Sequence, residues 1–207
     1  MTTLIAFDTS AAACAAAVLS GDRILARAEE PMATGQAERL FPLLEELLAE
    51  AGLGWRDLDA LACGIGPGNF TGTRLSVSAA RGLALSLGRP AIGVSRLEAL
   101  AEGLPRPLAV IEDARRGAVY LQLFGPDGPP ELVQPGALPD LRTIARTGSA
   151  ASLVPGGPVL TPAMPLAEAI ARIAARRTGT PQPRPAPLYL RAADAAPPSD
   201  PPPVLLP

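Results

Sequence analysis

Apolar and polar positions follow two rhythms along the first half of the chain. Leu4–Asp8 and Cys14–Leu19 are short apolar runs, and Arg23–Ala28 mixes apolar and polar positions. Segments of this length read as strands. Ser20-Gly21-Asp22 then joins the second and third as a hairpin. From Gln36 to Ala51 the period changes. Leu40, Leu43, Leu44, Leu47, Leu48 and Ala51 recur at spacings of three and four, and Gly52 is a natural stop, so a helix is predicted. Ala60–Ile65 reads as a fourth strand and Gly66-Pro67-Gly68-Asn69 as a breaker. A second helix runs from about Thr71 to Leu87 and is ended by Gly88 and Pro90. Ala91–Val94 is a fifth strand, and Ser95 caps a short helix to about Glu102. A three-strand meander followed by helix, strand, helix, strand, helix predicts an α/β layer on a mixed sheet.

Beyond Leu104 the pattern is less regular. Leu108–Asp113 and Ala118–Leu123 read as strands, proline and glycine dominate Gly125–Gly136, and Leu138–Arg146 and Pro165–Arg177 read as helices. Pro187–Arg191 is expected as a short edge strand, and Pro197–Pro203 can be neither helix nor central strand. The expected organisation is a lobe over 1–103, a smaller lobe over 104–195 and a proline-rich extended tail over 196–207. No repeat of solenoid length is visible.

Composition narrows the chemistry. Hydrophobic residues make up 48% and charged residues 18%, which favours a globular chain. No apolar run approaches the roughly 20 residues of a membrane span. The opening MTTLIAFDTS lacks a basic region, so neither a secretory signal nor a membrane anchor is expected, and a cytoplasmic protein is. Cys14 and Cys63 sit in apolar stretches and read as buried, reduced thiols. There is no histidine, and all 18 basic residues are arginine. That removes histidine triads, histidine metal sites, a phosphate-binding lysine and a Schiff-base lysine. No metal site is expected. The net charge of -2 argues against strong RNA binding by this chain alone.

Five segments carry candidate chemistry. Asp8-Thr9-Ser10 ends the first strand, where a carboxylate beside small hydroxyls can hold a hydrated metal near phosphates; the same residues also suit a simple Asx or Ser turn. Gly64-Ile65-Gly66-Pro67-Gly68-Asn69-Phe70-Thr71-Gly72-Thr73-Arg74 lies between strand and helix. Such glycines either admit an anion to backbone amides or allow close packing, with Asn69 or Thr71 as the cap. The second helix has small residues on one side and apolar residues spread around it, more than one sheet face can cover, which suggests a partner. Asp113, Arg115 and Arg116 share a turn between strands, a solvated ion-paired turn being the plain alternative. Pro187-Leu188-Tyr189-Leu190-Arg191 completes the set.

The element order resembles the ribonuclease-H-like half of acetate-kinase, sugar-kinase and actin folds. The segments together, with Gly93-Val94-Ser95-Arg96-Leu97-Glu98-Ala99-Leu100, resemble the TsaB/YeaZ family, closely through about Glu102 and in patches after Tyr120. The resemblance implies a two-lobed actin-like ATPase fold with a mixed central sheet in each lobe. It implies a subunit without catalysis of its own that helps a sister protein, TsaD, make threonylcarbamoyladenosine on tRNA, with the ATPase TsaE as a further partner. Homodimers are expected when the chain is alone, and tRNA is met only through the complex. Asp8, Thr9, Ser10, Gly66, Pro67 and Gly68 then mark a vestigial or shared nucleotide pocket. No cofactor is expected on this chain alone, though ATP or ADP could sit at the joint surface. The partner face is assigned to Arg39, Leu40, Leu43, Leu44, Leu47, Thr73, Arg74, Val77, Ser78 and Arg81. Gln36 stands where many family members keep a histidine. The turn Thr147-Gly148-Ser149-Ala150-Ala151 is weaker than a phosphate loop. A small-molecule kinase and a peptidase acting on the sister protein are the alternative functions.

Overall fold

The computed structural model describes residues 2–125 and 128–191. The expected tail over 196–207 lies outside the described residues. Strands β1 (Thr3–Asp8), β2 (Ala13–Ser20), β3 (Arg23–Pro31), β4 (Ala60–Gly64) and β5 (Ala91–Val94) form one sheet in the order β3-β2-β1-β4-β5. The meander is antiparallel, whereas β4 and β5 run parallel to β1. Strands β6 (Leu108–Asp113), β7 (Val119–Phe124), β8 (Glu131–Val133) and β9 (Ala145–Thr147) form a second, also mixed sheet in the order β8-β7-β6-β9.

Helices α1 (Gln36–Glu50) and α2 (Phe70–Leu87) cover one face of the first sheet. Successive strand residues point to opposite faces, so Ile5 and Phe7 meet these helices while Leu4 and Ala6 point away. The far face, with Ala60, Ala62, Ile92 and Val94, is covered by α4 (Leu166–Arg177) through Ala169, Ile170, Ile173 and Ala174. A helix from the late part of the chain thus closes the core of the early part, which the expected division at residue 103 does not anticipate. Helix α3 (Arg96–Ala101) packs Leu97, Leu100 and Ala101 against Leu108 and Val110 of β6.

Two expected elements are corrected. Leu138–Arg146 is not a helix: Pro139 holds Leu138 extended, Leu141 is buried, and the chain enters β9 at Ala145. The charged end of that segment is tied down by loops instead of facing water. Arg146 donates from Nη1 to the Ala151 carbonyl (2.8 Å) and from Nη2 to that of Gly157 (2.7 Å). Pro187–Arg191 is not a strand, because Pro181, Pro183, Pro185 and Pro187 strip the amide from every second residue. The Leu188 amide still reaches the Ile65 carbonyl at 2.8 Å. Cys14 and Cys63 are buried free thiols, pushed up to about 11 and about 12 chiefly by burial.

Candidate functional site: two loops and an arginine between them

Asp8, Thr9, Ser10 and the glycine-rich segment come together, each pressed against the other. The Thr9 amide donates to Ser76 Oγ (2.9 Å) and its hydroxyl to the Gly72 carbonyl (2.7 Å). The Asn69 amide donates to the Ser10 carbonyl (2.7 Å). The glycines are required by contact: a Cβ on Gly64 would lie 1.9 Å from Asp8 Oδ2, on Gly68 2.5 Å from the Ser10 carbonyl, and on Gly72 1.9 Å from the Thr9 carbonyl. Gly66, at φ +86°, turns the chain into Pro67. The amides opening α2 are engaged too, since Asn69 Oδ1 accepts from Thr71 (2.9 Å) and Gly72 (3.2 Å). Of the two readings open in the sequence, close packing capped by Asn69 is the one the geometry carries.

Asp8 is 2% exposed, a sealed carboxylate at the strand end. It accepts the Ser10 amide (3.0 Å) on Oδ1 and the Ser10 hydroxyl (2.9 Å) on both oxygens. Burial raises its pKa, and the Arg96 guanidinium and the Ser10 hydrogen bonds pull it back only in part.

The second loop repeats the arrangement. A Cβ on Gly148 (φ +107°) would lie 2.4 Å from the Ile111 carbonyl. The Ser149 amide donates to Glu112 Oε1 (2.6 Å), and Ser149 Oγ accepts from the Asp113 amide (2.9 Å). In each loop a carboxylate of the chain accepts the serine amide.

Arg96 joins the two. Its Nε donates to Glu112 Oε2 (2.7 Å), its Nη1 lies 4.0 Å from Asp8 Oδ1, and its amide donates to the Gly66 carbonyl (2.8 Å). Burial works against the guanidinium charge, but Glu112 and Asp8 outweigh it and hold the pKa above the usual arginine range. Arg96 was legible only as a member of a longer motif and Glu112 only as part of a strand; one charge after a helix cap and one near a strand end give no sign that they meet. Beside them opens a cleft of about 470 Å³, lined by Asp8, Ala11, Glu29, Arg96, Leu100 and residues 161–166. Among the described residues no group of three or more Cys, Asp or Glu is arranged to hold a metal.

The Asp113–Gly117 turn is a docking point for the late motif. Arg115, Arg116 and Gly117 all have positive φ (60°, 53° and 73°), a conformation that non-glycine residues adopt only when their surroundings hold them there. Asp113 Oδ1 accepts the Arg115 amide (2.7 Å). Arg191 donates to the carbonyls of Ala114 (3.0 Å) and Arg115 (3.3 Å). Tyr189 receives the Arg74 Nε hydrogen bond at 2.7 Å, while the Arg74 guanidinium stacks 3.6 Å from the centre of the Phe70 ring.

The expected partner face divides. Leu40, Leu43, Leu44, Leu47, Thr73 and Val77 are all buried, so none offers surface to another molecule; the sheet takes the leucine stripe. Arg39 is held between Glu30 (2.7 Å) and Glu46 (2.6 Å). Arg74, Ser78 and Arg81 are exposed and share one face of α2 with Gly82 and Leu85, spacings of three and four placing them in a row. Leu85 keeps 83% of its surface in water, and Phe70 47%.

The two mixed sheets, flanked by helices, define a protein of the ribonuclease-H-like, actin-like fold class. The family model described as TsaD, tRNA N6-adenosine threonylcarbamoyltransferase, matches residues 30–126. The TsaB protein of Escherichia coli (strain K12) is 38% identical over 123 residues, 56% of this chain and 52% of that protein. The chain thus spans about half the length of such curated TsaB relatives. The uncharacterized protein Rv3421c of Mycobacterium tuberculosis is 32% identical over 95% of both chains. The solved structure of YeaZ from Pseudomonas aeruginosa is 31% identical, covers 92% of this chain and 100% of that one, and superposes with a TM-score of 0.76. The chain belongs to the TsaB/YeaZ family.

Proposed function

We propose that this chain is a subunit of the threonylcarbamoyladenosine-forming system that performs no chemistry itself and pairs with the catalytic sister TsaD, with TsaE as a further partner, in the cytoplasm. The observation that carries the reading is the double closure of the loops, with Asp8 and Glu112 taking the serine amides. A nucleotide bound by this chain alone would have to displace both carboxylates or lie against them, and two like charges beside a polyphosphate are repulsive. The kinase alternative needs both loops open. The peptidase alternative needs an activated nucleophile open to a substrate, yet the chain has neither histidine nor lysine and Ser10 is 2% exposed. ATP or ADP belongs, on this reading, to the joint surface with the partners, and tRNA is met in the assembled complex. The surface offered to the sister protein, or to a second copy when the sister is absent, is the exposed row Arg74, Ser78, Arg81 and Leu85 on α2.

The test is Ser78→Arg. Ser78 is exposed, so the variant should fold as wild type by circular dichroism. A docked partner would have to bury an unpaired charge at a small position, so pairing with TsaD should weaken at least about tenfold, a loss of about 1.4 kcal/mol or more. A folded variant that binds TsaD as tightly as wild type would overturn the assignment of this face. Threonylcarbamoyl transfer to tRNA by TsaD that proceeds equally well without the chain would overturn the function.

A further inference from the structure

A groove of about 650 Å³ runs between the C-terminal half of α2, the Gly88–Ile92 link into β5, the end of α4 and residues 178–185. Among the described residues four arginines line it, Arg81, Arg89, Arg177 and Arg184, and no carboxylate does. This is an inversion of the chain as a whole, where 20 acidic residues outnumber 18 basic ones. Arg177 is neutralised by Glu98. Arg81, Arg89 and Arg184 are exposed and form no ion pair among the described residues. Guanidinium groups left unpaired in a concavity repel one another and are stabilised by an anion, and their planar forks suit phosphate oxygens.

The ends of α2 at Gly88 and α4 at Thr178 also face the groove. Each helix C-terminus contributes roughly half a negative charge. Together they offset about one of the three free guanidinium charges, and the groove stays positive. The arginines sit on a helix, a link and an irregular segment, and no glycine-rich turn of backbone amides converges on one point among the lining residues. That suits a chain of separated phosphates better than one compact polyphosphate.

We infer that this groove is a contact surface for the phosphodiester backbone of RNA, read without regard to base sequence. The inference rests on the reading that the chain works in tRNA modification, and it names the part of the chain that touches the tRNA. Arg81 stands where the groove meets the partner face, so RNA held here lies beside the sister subunit. With only three free cations the contact is weak and strongly salt-dependent, in keeping with the net negative chain.

The experiment follows fluorescence anisotropy of labelled, unmodified tRNA titrated with the full-length chain, alone and with TsaD, between about 50 and 200 mM salt. Arg89→Gln/Arg184→Gln is compared with Arg23→Gln/Arg56→Gln, which removes the same two charges from exposed arginines elsewhere. The groove pair should weaken binding at about 50 mM salt at least about tenfold and lower the slope of log K against log salt by about 1.4–1.8, the share of two phosphate contacts. The control pair should leave both unchanged. Equal loss in both pairs, no loss in either, or no tRNA binding by wild type under either condition overturns the inference. So does ATP or pyrophosphate binding that depends on Arg89 and Arg184 while tRNA binding does not. Pairing with TsaD is measured on the same samples. Intact pairing with unaltered tRNA binding fails the groove alone, whereas a wild-type chain that does not pair fails the functional reading and leaves the tRNA titration of the chain alone still informative.

Discussion

Asp8 ends a strand beside two hydroxyl residues, and nothing in that local pattern distinguishes a wet turn from a sealed one. The difference is made by Gly64 on the neighbouring strand, whose missing side chain leaves the space that Asp8 fills. That relation spans 56 positions of sequence and is invisible to spacing. It has a consequence for stability. The pKa of Asp8 is raised in the folded protein by burial, so the native state binds this proton more readily than the unfolded chain does. The stabilising contribution is therefore complete below the ordinary aspartate pKa and is lost as pH rises through the raised value. Asp8→Asn keeps an acceptor for the Ser10 amide and removes the buried charge. We expect it to melt at least about 3 °C above wild type at pH 7, with the gap closing towards pH 4. Melting curves that stay parallel across that range would mean that Asp8 carries none of the dependence.

At the scale of elements, periodicity located α1, α2, α4 and the first five strands, because a half-buried helix or strand must repeat its apolar side. It did not say which way the apolar side looked. The leucines of α1 read as a face for a partner, yet they are the face that the sheet needs, and the exposed row on α2 is made of small and charged residues with a single leucine, Leu85. The glycines of α2 separate the two environments. A Cβ on Gly72 would strike the Thr9 carbonyl, a backbone atom that cannot swing aside, whereas one on Gly82 meets nothing within 4 Å. Gly72→Ala is expected to cost at least about 3 kcal/mol, the loss typical of severe overpacking. Gly82→Ala is expected to gain about 0.5–1 kcal/mol, from the higher helix propensity of alanine. Urea unfolding of the two variants gives the comparison, and equal stabilities would overturn it. In the second sheet the sequence said less. Strands β8 and β9 have three residues each, too few to display any period, and the short helical rhythm over Leu138–Arg146 arose from residues that meet loops.

On the scale of the molecule, the two-sheet, two-lobed arrangement was legible from element order, but the joints between lobes were not. Arg96 links Asp8 at the end of β1 with Glu112 on β6, so one side chain ties the closures of both loops together. Arg191 and Tyr189 fasten the last described residues to the Asp113–Gly117 turn and to α2. Each joint is one or two residues from far-apart segments, and no pattern within a segment records them. A consequence for the proposed complex is that a partner seated on α2 touches a helix whose first turn packs on Thr9 and Ser10. Binding there presses on the same backbone that sets the Asp8 and Arg96 geometry.

The return of α4 to the first sheet bears on how the chain emerges during synthesis. Once β5 has left the ribosome the sheet can pair fully, but Leu4, Ala6, Ala60, Ala62, Ile92 and Val94 still have no cover on their far side. The covering residues end at Arg177, roughly 80 residues later. At about 5–20 residues per second that interval lasts about 4–16 s. Throughout it the nascent chain carries an apolar sheet face open to chaperones and to neighbouring chains. Ribosome-bound chains stalled with residues 1–164 outside the exit tunnel should be cut readily by protease in β1 and β4, and those stalled with 1–180 outside should resist. Equal resistance at both lengths would mean that the sheet is covered before α4 arrives.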